Sequence, residues 1–461
     1  MGEIVSANRK KIGLFSCVLF GLGVMFPIAP AGVWGVIMPL SQGHMGFCYL
    51  LAVIPMTFTA WSFGSMGAAF PRAGSSYTFA GSGIHPYAGF ITGWGILLDY
   101  ILFPLMNYIM LAIYTQQLFP SWNYNVIIVG SILLICVINL MGIKSIASVN
   151  NIITLFGFVA MLWFIFSAFG AASDGVGIGL SSKGFINPET FDFSLILAGT
   201  SIACFSFLGF DTITTLAEDI KIPEKNLPRS TILSCLIMAA IFVVSSFIGQ
   251  CVYPDYNSYA DPDSAFVDVA QAAGGGTLLT LVSIALVVCA FAFSLDMIAG
   301  ATRVLYGMGR DGVLPRKFFG YANSKGVPVW NVLLITAVCL VFSNMSLGDL
   351  IPIINFGGLF AFIMVNLSVI VYFFIRKKQR RGIGNIIKYL IMPGFGFIIV
   401  ILLWLNLSRM AMIVGFSWMA LGIIYLAIWS KGFKRNIIGF TSESAEEIEA
   451  ETAADAEKSE R

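Results

Sequence analysis

The chain has 461 residues, 58% hydrophobic and only 11% charged, with a mean hydropathy of +0.87. A soluble domain carries about a quarter charged residues, so this composition excludes one, and a formal net charge of +2 gives nucleic-acid binding no support. The eight cysteines lie in or beside apolar runs without a C-x-x-C pattern, and there are two histidines, His44 and His85; small buried hydrophobes are the expected reading, not a disulfide framework or a metal centre.

At about 20 residues per crossing, the apolar runs predict twelve membrane-spanning helices. They fall near 13–39, 46–69, 86–118, 124–142, 149–170, 193–218, 230–253, 276–304, 329–345, 350–375, 386–407 and 411–430. The first run has no small-residue cleavage site and continues past the core of a signal peptide, so it is expected to remain as a span. It is interrupted by Gly21, Gly23, Pro27, Pro30, Gly32 and Gly35. Each proline removes an amide donor and blocks the helical bond one turn back. A short extended stretch between two half-helices is expected, the positive end of the second suiting a carboxylate.

The third span carries Asp99, followed by Tyr100 and Pro104. The sixth repeats the interruption in Cys204-Phe-Ser-Phe-Leu-Gly-Phe-Asp211, where Gly209 is surrounded by Phe205, Phe207 and Phe210. Free carbonyls there suit an ammonium, and the rings offer a gate or cation–π contacts. Asp211 either serves function or accepts backbone N–H bonds at the start of the second half-helix. Glu218, beside Asp219, is expected to pack at the cytoplasmic gate. The eighth span contains Asp296, the deepest of the acids; an ionisable residue within a span is a functional position by default. No Lys or Arg lies well inside a span, so the acids are protonated or face water, a cation or a cationic group of a substrate. Interrupted helices at matching positions of two halves mark the binding site of a secondary transporter.

With the N-terminus inside, all but Lys183 and Arg409 of the 26 basic residues fall on the inner side. That distribution supports twelve spans with both termini cytoplasmic. The loop at 254–268 carries Asp255, Asp261, Asp263 and Asp268 and no base, as an outer loop should. Residues 441–461 hold eight acids and two bases, which reads as a solvated, disordered tail. The expected organisation is a cytoplasmic N-terminus at 1–12, a transporter domain at 13–430 and an acidic cytoplasmic tail at 431–461. Within the domain, 13–170 and 193–375 are the two halves and 386–430 two extra helices.

Six segments resemble the amino acid–polyamine–organocation superfamily. They are Phe70-Pro-Arg-Ala-Gly-Ser-Ser-Tyr-Thr-Phe-Ala80, Gly93-Trp-Gly-Ile-Leu-Leu-Asp-Tyr100, the sixth-span segment with Leu216-Ala-Glu-Asp219, Ile222-Pro-Glu-Lys-Asn-Leu-Pro-Arg229, Arg303-Val-Leu-Tyr-Gly-Met-Gly-Arg-Asp-Gly312 and Ile354-Asn-Phe-Gly-Gly358. The pattern is nearest that of bacterial putrescine importers. The resemblance implies an all-α, LeuT-like membrane fold: two inverted five-helix repeats, then two helices. It further implies substrate between the two breaks, the third, eighth and tenth spans closing the site, and alternating access driven by a proton, or by exchange. The departures bear on substrate. Gly32 stands where putrescine importers carry an aspartate, Asp296 where they carry a small residue, and Gly157 where proton-coupled cationic amino acid carriers often carry a lysine.

The expected function is secondary active transport of amino acids or related amines across the cytoplasmic membrane. Putrescine import is the alternative within that class; a non-transporting amino acid receptor is the alternative outside it. A membrane enzyme ranks last, since no nucleophile–His–acid set, phosphate loop or metal cluster is present. Backbone at Pro27, Ile28, Ala29 and Gly32 would meet a carboxylate, and Phe205, Ser206 and Gly209 would offer carbonyls to an amine. Tyr100, Asp296 and Asn355 are candidate side-chain contacts. Trp34 and Phe210 are candidate gates, and Asp99, Asp211 and Glu218 candidates for gating or coupling. No cofactor is expected beyond a coupling proton or sodium; the partners are the bilayer and a small solute.

Overall fold

The computed structural model describes residues 12–71, 75–142, 147–310 and 312–432, with backbone alone at 75, 147–149 and 218. The segment before residue 12 and the acidic tail from 433 lie outside the described residues. The first helices are α1 (Leu14–Val24), α2 (Ala29–Leu40), α3 (Met45–Ala69), α4 (Ser75–Gly83), α5 (Pro86–Leu118), α6 (Tyr124–Leu140) and α7 (Ala147–Ser173). After a loop come α8 (Phe193–Ala203), two 3-10 stretches at Cys204–Phe207 and Phe210–Asp219, α9 (Pro223–Val252) and α10 (Ala265–Arg310). The last long helices are α11 (Val329–Val341), α12 (Leu347–Val369), α13 (Met392–Leu405) and α14 (Arg409–Trp429).

Among the described residues, nine helices are long and apolar enough to cross a membrane, and α1 with α2, bent by 53° at their junction, make a tenth candidate. α6 and α11 are apolar but shorter, at 17 and 13 residues. Each expected span therefore meets a helix or a broken pair. Large apolar side chains such as Val126, Phe166 and Ile428 are exposed on the outer faces of α6, α7 and α14. In water such a surface would aggregate; in lipid it is the solvated face. The chain is a multi-pass membrane protein with α5 through its centre, packed against α10, α12 and α4.

Two of the helices differ from expectation. α4 occupies the stretch between the second and third spans, where no helix is expected. α10 begins at Ala265, well before the expected 276, and leaves helical geometry at Gly274 and Gly275 inside its length.

Both interruptions are present, and they touch. In the first, Phe26 precedes a proline, a position disfavoured in the α region, and takes φ +56°. The second runs through 3-10 turns, not the expected half-helix. Thr212, Thr214 and Thr215 each donate a hydroxyl to the carbonyl three residues back, on Gly209, Asp211 and Thr212, at 2.6 Å. Hydroxyls that satisfy carbonyls locally compete with the α-helical ladder. Gly209, at φ +110°, turns the chain between the two stretches. A Cβ at Gly209 would lie 3.0 Å from both Cγ1 and the carbonyl oxygen of Val24, the last residue of α1.

Each end of the broken helices is tied down. On the face where α1 starts, Ile12 N–H donates to the Asp219 carbonyl at 2.7 Å and Lys221 N–H to the Ile12 carbonyl at 2.9 Å, a parallel bridge between Ile12 and Ile220. Ser234 of α9 adds a hydroxyl bond to the Val18 carbonyl at 3.2 Å. On the opposite face, where α2 ends near His44, the loop before α10 covers the first span. Trp34 Nε1 donates to Tyr259 Oη at 3.0 Å, and Asp263 accepts the Leu347 amide at the start of α12 at 3.2 Å. All eight cysteines are free and buried, as expected of small core residues.

Replacing Gly209 with alanine is expected to lower the thermal midpoint in detergent, the left-handed φ alone costing about 1–2 kcal/mol. An unchanged midpoint would mean that the two breaks are free to separate.

Candidate functional site

The two breaks enclose a cavity of about 30 Å³, room for one or two water molecules and well short of the ~300 Å³ at the small end of ligand pockets. Its walls are the α1–α2 junction with Met25, Phe26, Ala29 and Gly32; Met106, Asn107 and Met110 of α5; Phe205 and Ser206; and Phe293 of α10. The bend brings α2 over α5, so that a Cβ at Gly32 would meet the terminal methyls of Met106 at 3.0 Å and Met110 at 3.1 Å. Two ring pairs border the space: Phe26 with Phe293 at 4.5 Å and Phe103 with Phe205, stacked at 5.1 Å. No charged side chain lines it among the described residues.

Two polar side chains belong to this apolar lining. Ser206 shares a hydrogen bond with Tyr49 Oη at 2.7 Å, a link from the sixth-span break to α3. Asn107 is 4% exposed, and its Nδ2 has no hydrogen-bond partner. A buried unmet donor carries a desolvation penalty that a ligand acceptor would relieve. In the first break the amides of Phe26 and Ile28 have no main-chain acceptor. Pro27 and Pro30 have no amide N–H, and the amides of Ala29 and Ala31 are bonded to the carbonyls of Phe26 and Ile28.

Of the sequence candidates, Ala29, Gly32, Phe205 and Ser206 line the cavity; Pro27, Ile28, Tyr100, Gly209, Asp296 and Asn355 do not. Asp99 and Asp211 are buried and interact electrostatically with each other and with Tyr100. Asp99 Oδ1 has no hydrogen-bond partner. Asp296 is half-buried and accepts from Asn150 Nδ2 of α7 at 2.5 Å, which joins α7 to α10. Asn355 is fully buried and donates to the Ser201 carbonyl, which ties α12 to α8. Trp34 packs with Phe266 and Phe164 on the His44 face, and Phe210 with Phe63 and Phe362. The side chain of Glu218 lies outside the described residues. Asn107 escapes a reading that weighs only ionisable residues in spans; an amide amid apolar neighbours on a 33-residue helix was its available signal.

A family model described as amino acid permease matches residues 12–429. The chain is similar to the low-affinity putrescine importer PlaP of Escherichia coli strain K12, 34% identical over 432 residues that cover 93% of this chain and 95% of that protein. It is also similar to the branched-chain amino acid permease BcaP of Bacillus subtilis strain 168, 24% identical over 92% of this chain and 93% of that one. Among solved structures, a mutant of the Eremococcus coleocola manganese transporter superposes with a TM-score of 0.59 at 14% identity, covering 95% of this chain and 96% of the other.

Gly32→Ala is expected to fold with a midpoint close to that of the wild type, because the atoms it meets are flexible methionine tips. A large drop on thermal denaturation in detergent would show instead that the α2–α5 approach is fixed by backbone.

Proposed function

The chain belongs to the amino acid permease family, and from that premise we propose that it carries amino acids or related amines across the cytoplasmic membrane by secondary active transport. The observation that supports this most directly is the cavity between the two broken helices of a LeuT-like, all-helical fold. A carrier must expose its site to one side at a time. Here the two closures are separate. The Ile12–Ile220 bridge and the Ser234 bond hold one face, and the Trp34–Tyr259 and Asp263–Leu347 contacts hold the other.

We take the Ile12 face as cytoplasmic and both α6 and α11 as crossings, which gives twelve spans with the two termini inside. Residues 13–170 and 193–375 form the inverted repeats, and 386–430 the two added helices. Ala29, Gly32, Phe205 and Ser206 form the wall of the substrate site, and Pro27, Ile28 and Gly209 shape the breaks beside it. Trp34 and Phe210 act as gates. Asp99, Asp211 and Asp296 lie outside the cavity lining and are assigned to coupling, with a proton or sodium as the ion. Import of putrescine itself is a second reading, favoured by the likeness to PlaP.

Uptake into proteoliposomes under an imposed proton gradient tests the assignment, with labelled putrescine, amino acids and monoamines in competition. Accumulation of at least one of them, abolished by a protonophore, is the expected result. No accumulation under proton or sodium gradients would refute carriage. Asp296→Asn is expected to remain in the membrane and to lose uptake. Normal uptake by that variant would reduce Asp296 to a structural partner of Asn150.

A further inference from the structure

We propose that the basic segment at 376–388, between α12 and α13, binds an anionic phospholipid of the surrounding bilayer. Its cations take the phosphate headgroup, and an apolar stripe that begins at the same segment takes an acyl chain. The site belongs to the lipid-facing surface and does not depend on which solute is carried.

The first ground is uncompensated charge. Arg376, Lys377, Lys378, Arg380, Arg381 and Lys388 are all exposed. The sequence has no acid from Leu350 to Ser442, and none of the six is ion-paired to a carboxylate among the described residues. The cluster sits at the end of a span: α12 starts where Leu347 meets Asp263 and runs on through a π-helical stretch, Ile370–Arg376, to the opposite end of the bundle. Basic residues directly beyond a span attract anionic headgroups.

The second ground is how the cations are presented. Arg376 donates to the carbonyls of Ser82, at 3.4 Å, and Ile84. Arg380 Nε donates to the Phe374 carbonyl at 2.8 Å, its guanidinium 5.1 Å from the centre of that ring, and Lys377 Nζ lies 5.6 Å from the Tyr372 ring. These contacts fix the segment against main chain and rings without neutralising it. The side chains of Lys378, Arg381 and Lys388 make no hydrogen bond among the described residues. They are left for an outside anion, and ammonium and guanidinium groups both suit phosphate.

The third ground is apolar continuity. A helical run, Ile383–Leu405, leaves the basic segment and includes α13. On it Ile387, Ile391, Phe395, Ile398 and Leu402 are exposed, at the three- and four-residue spacing of one helix face. α3 lies alongside. Trp61 Nε1 donates to the Lys388 carbonyl at 3.0 Å, Phe58 stacks on Phe395 at 6.2 Å, and Ile54 and Leu50 are exposed further along. The two stripes descend together from the cations, charge at the head and hydrocarbon below, as in a phospholipid. The acidic segment 441–461 matches the charge but carries one large apolar residue, Ile448, so it would leave the stripes bare.

The test uses the full-length protein in a neutral detergent. Its thermal midpoint is titrated with dioleoyl phosphatidylglycerol, dioleoyl phosphatidylcholine or inorganic phosphate. The wild type is expected to respond to phosphatidylglycerol at a concentration about tenfold or more below that needed for phosphatidylcholine, a preference that shrinks as salt is raised. Lys378→Gln, Arg381→Gln and Lys388→Gln together should keep the midpoint of the lipid-free protein, since these side chains bond nothing, and should lose the preference. Lys378→Arg, Arg381→Lys and Lys388→Arg together keep the charge and should retain it. Equal response of the wild type to the two lipids, or a preference that survives the glutamine changes, overturns the proposal. So does a response to phosphate alone that matches phosphatidylglycerol, which would make this a site for a soluble anion. A wild type indifferent to phosphatidylglycerol that gains the preference once the eight acids of 441–461 are changed to glutamine gives the cluster to that segment and also overturns it. If the glutamine variant does not fold, salt decides: a wild-type preference unchanged between about 0.05 and 0.5 M overturns the proposal.

Discussion

The architecture of the centre depends on one contact: Gly209, in a left-handed conformation, against the last residue of α1. Two helices that break inside lipid expose backbone groups that only protein or a ligand can satisfy. Bringing the breaks together solves that problem for both, because each lines the space the other leaves. The approach demands a residue without a Cβ on one side. It also places the end of α1, the start of α2 and the 3-10 turns around a common void. The cavity is the direct product of that meeting.

Local hydrogen bonding keeps the breaks from being expensive. The first uses prolines, which have no amide to orphan, and turns that take up the amides of Ala29 and Ala31. The second uses threonine hydroxyls to cap carbonyls three residues back. Both solutions make the breaks self-sufficient, so they persist in an empty site. Asn107 and Ser206 are polar side chains of a lining that is otherwise made of apolar residues and glycine.

Much of this was legible in the residues. Runs of about twenty apolar residues announce spans because a bilayer imposes that length, and the one-sided distribution of lysine and arginine supports their number. Pro27, Pro30 and Gly209 announce breaks because their backbone chemistry is local. Four of the ten proposed binding positions fall on the cavity wall because they flank those breaks. What was not legible depends on tertiary packing. The 3-10 form after Gly209 arises from a competition among threonine hydroxyls that no periodicity reveals. α4 is short and weakly apolar. That Asp296 meets Asn150, and that Asn107 meets no protein partner, are facts about which helix faces which. A single sequence does not carry that information.

The bridge between Ile12 and Ile220 has a further consequence. Its two main-chain hydrogen bonds lie at an end of the helical bundle beside an apolar cluster in which Ile220 is buried with Cys17, Ile213 and Leu227 and against which Ile12 packs. Opening the bridge would cost about 0.5–1.5 kcal/mol for each bond and would also expose the apolar surface of Ile220 and its neighbours to water. A contact of that kind aligns the start of α1 with the segment that follows the sixth-span break. The main-chain bonds set the register of the two segments, and the apolar cluster holds them together.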